Sequence, residues 1–158
     1  MIHGGGAARP LLEEDVRLAL AATAALSLAA APAGGRIVTV EVSTFRSTRG
    51  VLECSLWTSP HGFPSHPETA AAKQRTTIRP DRTGACRFEG LAPGEYAVAV
   101  MHDENGNGKM DFGLFGIPRE GYGFSNNHTH ALSAPTWEES RFRVGPGDDP
   151  VLEVRLKY

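Results

Sequence analysis

Asp103, Asn105, Asn107, Gly108 and Asp111 stand in the order D-x-N-x-N-G-x-x-D. Side-chain oxygens at alternate positions of a tight turn converge on one centre, which is how six to eight oxygens come to surround a calcium ion. Gly108 permits the bend, and the main-chain carbonyl of Lys109 falls where a backbone ligand belongs. The twelfth position is Leu114 rather than a bidentate glutamate, so Asp103 and Asp111 carry the only charge of the run, with Glu104, Glu120 or water left to complete the shell. So few carboxylates predict weak binding, on the order of 10⁻⁴–10⁻³ M. The same residues also make an Asn- and Gly-rich loop closed by its own Asx hydrogen bonds with no ion, and the spacing leaves both readings open.

Directly after this run comes FGLFGIPREGYGF, residues 112–124, in which Phe112, Phe115, Tyr122 and Phe124 alternate with four glycines. No strand pattern is visible between 103 and 135. Structureless loops longer than about 12–15 residues are usually functional or disordered, and this one is too aromatic for disorder. One reading is a compact flap whose aromatics cap an open end of the fold, burial being the commoner use of such rings. The other is an exposed aromatic surface that stacks on a glycan or grips a peptide.

Other chemistry has less behind it. His102, His128 and His130 could meet at one end of the fold, with His61 and His66 in a second long loop, and imidazoles so gathered suit copper or zinc. No ligand spacing supports that arrangement over ordinary loop histidines. Ser125 sits in GFSNN rather than in a G-x-S-x-G elbow, and there is no phosphate-binding glycine loop and no dinucleotide fingerprint. Nothing here predicts an enzyme.

Four segments alternate apolar and polar residues with period two: Val38, Val40 and Val42; Tyr96, Val98 and Val100; Phe142 and Val144; Leu152, Val154 and Leu156. With the runs beside them they predict seven strands, at about 36–45, 51–58, 74–79, 84–90, 95–102, 138–144 and 151–157. Turn signals at Thr48-Arg49-Gly50, Asp81–Gly84 and Pro93-Gly94 separate them, and Glu68–Lys73 fits one helical turn. The expectation is an all-β, roughly seven-stranded antiparallel β-sandwich of immunoglobulin-like kind, with one long loop near 103–135. Cys54 and Cys86, the only cysteines, fall on the core parity of their strands. In an exported chain they predict one disulfide rather than two buried thiols.

Export is suggested by residues 18–31, LALAATAALSLAAA, preceded by Arg17 and followed by the small-residue site Ala31-Pro32-Ala33. That order of charge, apolar run and small residues is a secretory leader, cleaved after Ala33. The alternative is an Ala/Leu helix of the mature domain. Glu13, Glu14 and Asp15 suit a leader poorly, and translation from Val16 would remove them, making 1–15 a mis-called start. Residues 34–158 are then a single periplasmic or secreted domain with no transmembrane segment. The chain of 158 residues has a formal net charge of −2, which excludes nucleic-acid binding through bulk electrostatics.

FEGLAPGEYAVAV, Phe88–Val100, resembles the strand–turn–strand signature of transthyretin-like and carboxypeptidase-regulatory-like domains. The longer run VMHDENGNGKMDFGLFGIPREGYGFSNN, Val100–Asn127, closely resembles the bacterial secreted family of unknown function DUF2141, and the likeness extends from Val38 through Ser59–Pro64 to Tyr158. The resemblance implies a periplasmic or secreted sandwich and brings no established activity. The function expected is therefore a binding or structural module of the cell envelope, its partner an unidentified envelope protein or glycan. A weak calcium loop would order its aromatic–glycine flap. The alternative is a periplasmic copper or zinc binder using the loop histidines.

Overall fold

The computed structural model describes residues 35–131 and 133–158. The expected leader, residues 1–33, lies outside them. Among the described residues there are eight strands: β1 (Arg36–Ser43), β2 (Val51–Trp57), β3 (Ala72–Thr76), β4 (Gly84–Leu91), β5 (Gly94–Asp103), β6 (Gly121–Phe124), β7 (Phe142–Val144) and β8 (Val151–Arg155). A single turn of helix, α1 (Trp137–Ser140), precedes β7.

The strands form two sheets. One has the order β4-β1-β8; the other has the order β3-β2-β5-β6, with β7 also paired to β5. Alternation decides what lies between them. Val38, Val40 and Val42 of β1, Leu52, Cys54 and Leu56 of β2, Cys86 and Phe88 of β4, and Tyr96, Val98 and Val100 of β5 are all buried in one core, as period-two patterning requires. The Cys54–Cys86 disulfide crosses this core from β2 to β4, so it ties sheet to sheet.

Four local expectations need correction. The sandwich is not wholly antiparallel: β8 lies parallel to β1, with Val40 beside Leu152 and Val42 beside Val154. The interval 103–135 does contain a strand, β6, which pairs with β5 from Ala99↔Phe124 to His102↔Gly121. Its pattern is hidden because its core-facing positions are glycines. A Cβ on Gly123 would lie 2.7 Å from Val154, and one on Gly121 would lie 2.6 Å from the Tyr158 ring, so side chains of β8 and of the residues that follow it occupy that space. The expected strand at 138–144 starts late, because Thr136 and Glu139 form a capping box that winds residues 137–140 into α1. The helical turn expected at 68–73 is a 3-10 turn at Pro67–Thr69, and β3 starts at Ala72.

A second, smaller cluster sits on the outer face of the five-stranded sheet. Trp57, Ala97 and Trp137 are buried there against Phe63, Ala70 and Ala99. Phe63 packs edge-on to Trp57 at 5.2 Å and to Trp137 at 6.0 Å between ring centroids. This cluster covers only one end of the outer face.

The disulfide closes a separation of 32 residues, which restricts the unfolded chain by about 3–4 kcal/mol. The double variant Cys54→Ala/Cys86→Ala is expected to lose about that much unfolding free energy in urea titration. A loss below about 1 kcal/mol would mean the link adds little to a core that already holds the sheets together.

Candidate functional site

Antiparallel register places the outer-face side chains in rows. Lys73, Ser55, Ala99 and Phe124 lie side by side across β3, β2, β5 and β6; Arg75, Glu53, Met101 and Tyr122 form the next row. Directly opposed residues share a face. The first row is low at its centre, where Ser55 and Ala99 stand, and the Trp57 cluster rises on one side of it. On the other side the flap, residues 112–118, turns back over the sheet, fastened by the Phe112–Pro118 bridge and by the Arg119 N–H donating to the Asp111 carbonyl at 2.8 Å. Between them lies a groove of about 740 Å³. That is within the range of small-molecule sites, roughly 300–1,000 Å³.

The flap does not bury its apolar side chains. Phe112 is 60% exposed, Leu114 79%, Phe115 97% and Ile117 62%. Phe112, Phe115, Tyr122 and Phe124, the four aromatics singled out from the sequence, all line the groove. Tyr122 and Phe124 do so from β6, their rings 5.9 Å apart, and Phe112 and Phe115 from the flap. Phe115 has φ 61°, a left-handed conformation that costs a residue with a Cβ roughly 1–2 kcal/mol.

The acidic run closes on itself. Asp103 is fully buried; its Oδ1 accepts the N–H groups of Gly106 and Asn107 at 2.8 and 3.1 Å, and its Oδ2 accepts that of Gly108 at 2.8 Å. Arg75 lies 3.4 Å from Oδ2. Asn105 and Asn107 direct their amide groups to the Asp111 carboxylate, while their Oδ1 atoms accept the N–H of Asn107 and Lys109. Glu120, also buried, takes the N–H of Glu104 on one oxygen and that of Asp111 on the other. It therefore joins the two ends of the loop. Glu104 pairs with Arg46.

The histidines are not brought together. His102 is fully buried on the core face of β5. Its Nε2 donates to the Arg49 carbonyl at 2.7 Å, and the Tyr158 hydroxyl lies 2.7 Å from its Nδ1. A carbonyl only accepts, so Nε2 carries a proton. The Tyr158 oxygen also accepts the Arg46 N–H. Burial pushes the Tyr158 phenol above its ordinary value of 10.0. His128 and His130 are exposed, and His130 meets Glu139 at 2.9 Å. The Thr136 N–H, then the His130 ring, then the Thr136 hydroxyl, hold the Glu139 carboxyl down to about 2. His61 and His66 lie in the 58–71 loop, and His66 contacts Glu68. Among the described residues no three His, Cys, Asp or Glu side chains are grouped to hold a metal.

Ser125, Asn126 and Asn127 hold the sheet edges around the site, a structural role that sequence reading missed. Between β6 and β7 the edge of β5 is bare at Val98. There the Val98 N–H donates to the Ser125 hydroxyl at 3.0 Å, and that hydroxyl donates to the Ser140 carbonyl. Asn126 donates to the carbonyls of Glu139 and Arg141 at 3.0 Å each. Asn127 pairs with β8 as a strand residue does, donating to the Glu153 carbonyl at 2.7 Å and accepting the Arg155 N–H at 2.8 Å. Both asparagines sit at positive φ, which Asn tolerates better than most residues. The signal was the S-N-N string after an aromatic–glycine run, whose meaning depends on partners distant in sequence.

Fold and site together define an all-β sandwich module, disulfide-tied, with an aromatic-walled groove on the outer face of one sheet. The family model described as "Uncharacterized protein conserved in bacteria (DUF2141)" matches residues 40–151, and the chain belongs to that family. No curated protein and no solved structure matches it. Among the described residues no helix is long and apolar enough to cross a membrane.

Ser125→Ala would leave the buried Val98 N–H without its acceptor. It is expected to cost about 1–3 kcal/mol in chemical denaturation, the range for an unsatisfied buried donor. An unchanged denaturation midpoint would show that the serine does not hold the strand edge.

Proposed function

We propose that this chain is an exported binding module of the bacterial envelope, whose binding surface is the groove on the outer face of the five-stranded sheet. One observation carries the reading: four large apolar side chains of one short flap are exposed together, and three of them, Phe112, Phe115 and Ile117, line the groove. Contiguous exposed apolar surface of this kind marks an interaction site in a folded protein. The disulfide fits an oxidising compartment.

A neutral apolar fluorophore, N-phenyl-1-naphthylamine, is the direct probe. Its emission is expected to rise on mixing with the folded chain. Ala99→Trp, which fills the low centre of the groove without entering the core, is expected to abolish the rise. No rise with the wild-type chain would overturn the reading.

Calcium enters as an accessory. Asp103, Asn105, Asn107, the Lys109 carbonyl and Asp111 would hold the ion, the Asn105 and Asn107 side chains turning their oxygens inward, and the ion would stiffen the base of the flap. What supports it is the spacing of these five residues in the sequence. Thermal unfolding of chelator-stripped protein reads this. With calcium at ~100 times its Kd the midpoint is expected to rise by about ten degrees, and no rise would mean the loop is closed by its hydrogen bonds alone.

A further inference from the structure

We propose that the groove binds a single-chain amphiphilic anion, an aliphatic carboxylate whose tail lies between the flap and the sheet and whose head meets Lys109 and Lys157. The proposal rests on the groove being the binding surface and adds the class of ligand.

Charge selects the head group. Among the described residues, Lys73, Lys109, Lys157 and His130 line the groove, against a single acidic side chain, Glu53. Glu53 is already paired with Arg75, its cross-strand neighbour, at 3.5 Å. Lys73 shares the field of Glu68. Lys109 and Lys157 form no ion pair among the described residues. The rim therefore carries positive charge that an anion would complement.

The lining selects the tail. The sheet presents Ala99 and Met101, and the flap adds Phe112, Phe115 and Ile117. No Asp, Asn, Gln or Arg is among the described residues lining it. Those planar side chains are what would pair with the hydroxyls of a glycan, so the chemistry favours an alkyl chain over a sugar. Leu114, Phe115 and Ile117 are exposed around Gly116, which has φ 72°. A flexible tail laid beneath such a flap would remove apolar surface of Phe115 and Ile117, which line the groove, from water. Phe115 holds a strained conformation at the flap's most exposed point, and strain of this kind clusters at ligand clamps.

The test is competition for the bound naphthylamine, using the full chain with its disulfide intact, at pH 8. The competitors are decanoate, decanol and a neutral oligosaccharide, each below its aggregation limit. Decanoate is expected to displace the fluorophore at about tenfold lower concentration than decanol, equivalent to ~1.4 kcal/mol. Lys109→Glu/Lys157→Glu changes two exposed side chains and is expected to erase that preference while decanol still competes. Equal displacement by decanoate and decanol, or a preference that survives the charge reversal, would overturn the anionic ligand and leave the groove reading intact. Displacement by the oligosaccharide alone would overturn it in favour of a glycan. Failure of the fluorophore itself to bind would instead remove the groove reading.

Discussion

The second edge of β5 is the constraint on which the rest of this structure depends. β5 is ten residues long and buried over most of its length, and β2 pairs with only one of its edges. Buried backbone groups left unpaired on the other edge would each cost about 1–3 kcal/mol. No single strand satisfies them. β6 covers residues 99–102 and β7 covers 94–96. The Ser125 hydroxyl supplies the missing acceptor between them at Val98. The chain must therefore leave the sheet after β5, return for four residues, leave again, wind α1, and return once more.

That itinerary is what builds the groove. The first excursion, from the end of β5 to the start of β6, is the acidic loop followed by the flap. The second, from β6 to β7, brings Trp137 down onto Trp57 and Ala97. One excursion therefore raises an exposed aromatic wall and the other a buried one, with the row of Ser55 and Ala99 low between them. The buried carboxylates belong to the same arrangement. Asp103 organises the turn that starts the first excursion, and Glu120 joins that turn to the strand that ends it. Each does so by accepting backbone N–H groups, and Asp103 also meets Arg75, so neither buried carboxylate is left without partners.

Side chains that imitate backbone recur at the margins of both sheets. Gln74 of β3 exchanges two hydrogen bonds with the backbone of Arg87 in β4, and Asn127 does the same with β8. Open strand edges invite pairing with other chains. Here amide side chains occupy them and link one sheet to the other, so the sandwich is closed at its sides by single residues.

Much of this was legible in the residues alone. Period-two alternation identified the strands with a buried valine or leucine face, and parity placed Cys54 and Cys86 toward one core, where they are bonded. The aromatics Phe112, Phe115, Tyr122 and Phe124 were singled out together, and they line one groove. What alternation does not encode is partnership. It cannot say that β8 runs parallel to β1. It cannot show a strand whose core-facing residues are glycines because Val154 and Tyr158 fill their space. Nor can it separate His102 from His130, which share a stretch of sequence and lie on opposite faces of one sheet. The chain by itself determined which residues are apolar, which turns are tight and where a disulfide could form, because those depend on near neighbours. The tertiary structure decided the groove, the paired edge of β5 and the work of Ser125-Asn126-Asn127, because each is a contact between segments that meet only when the two sheets close.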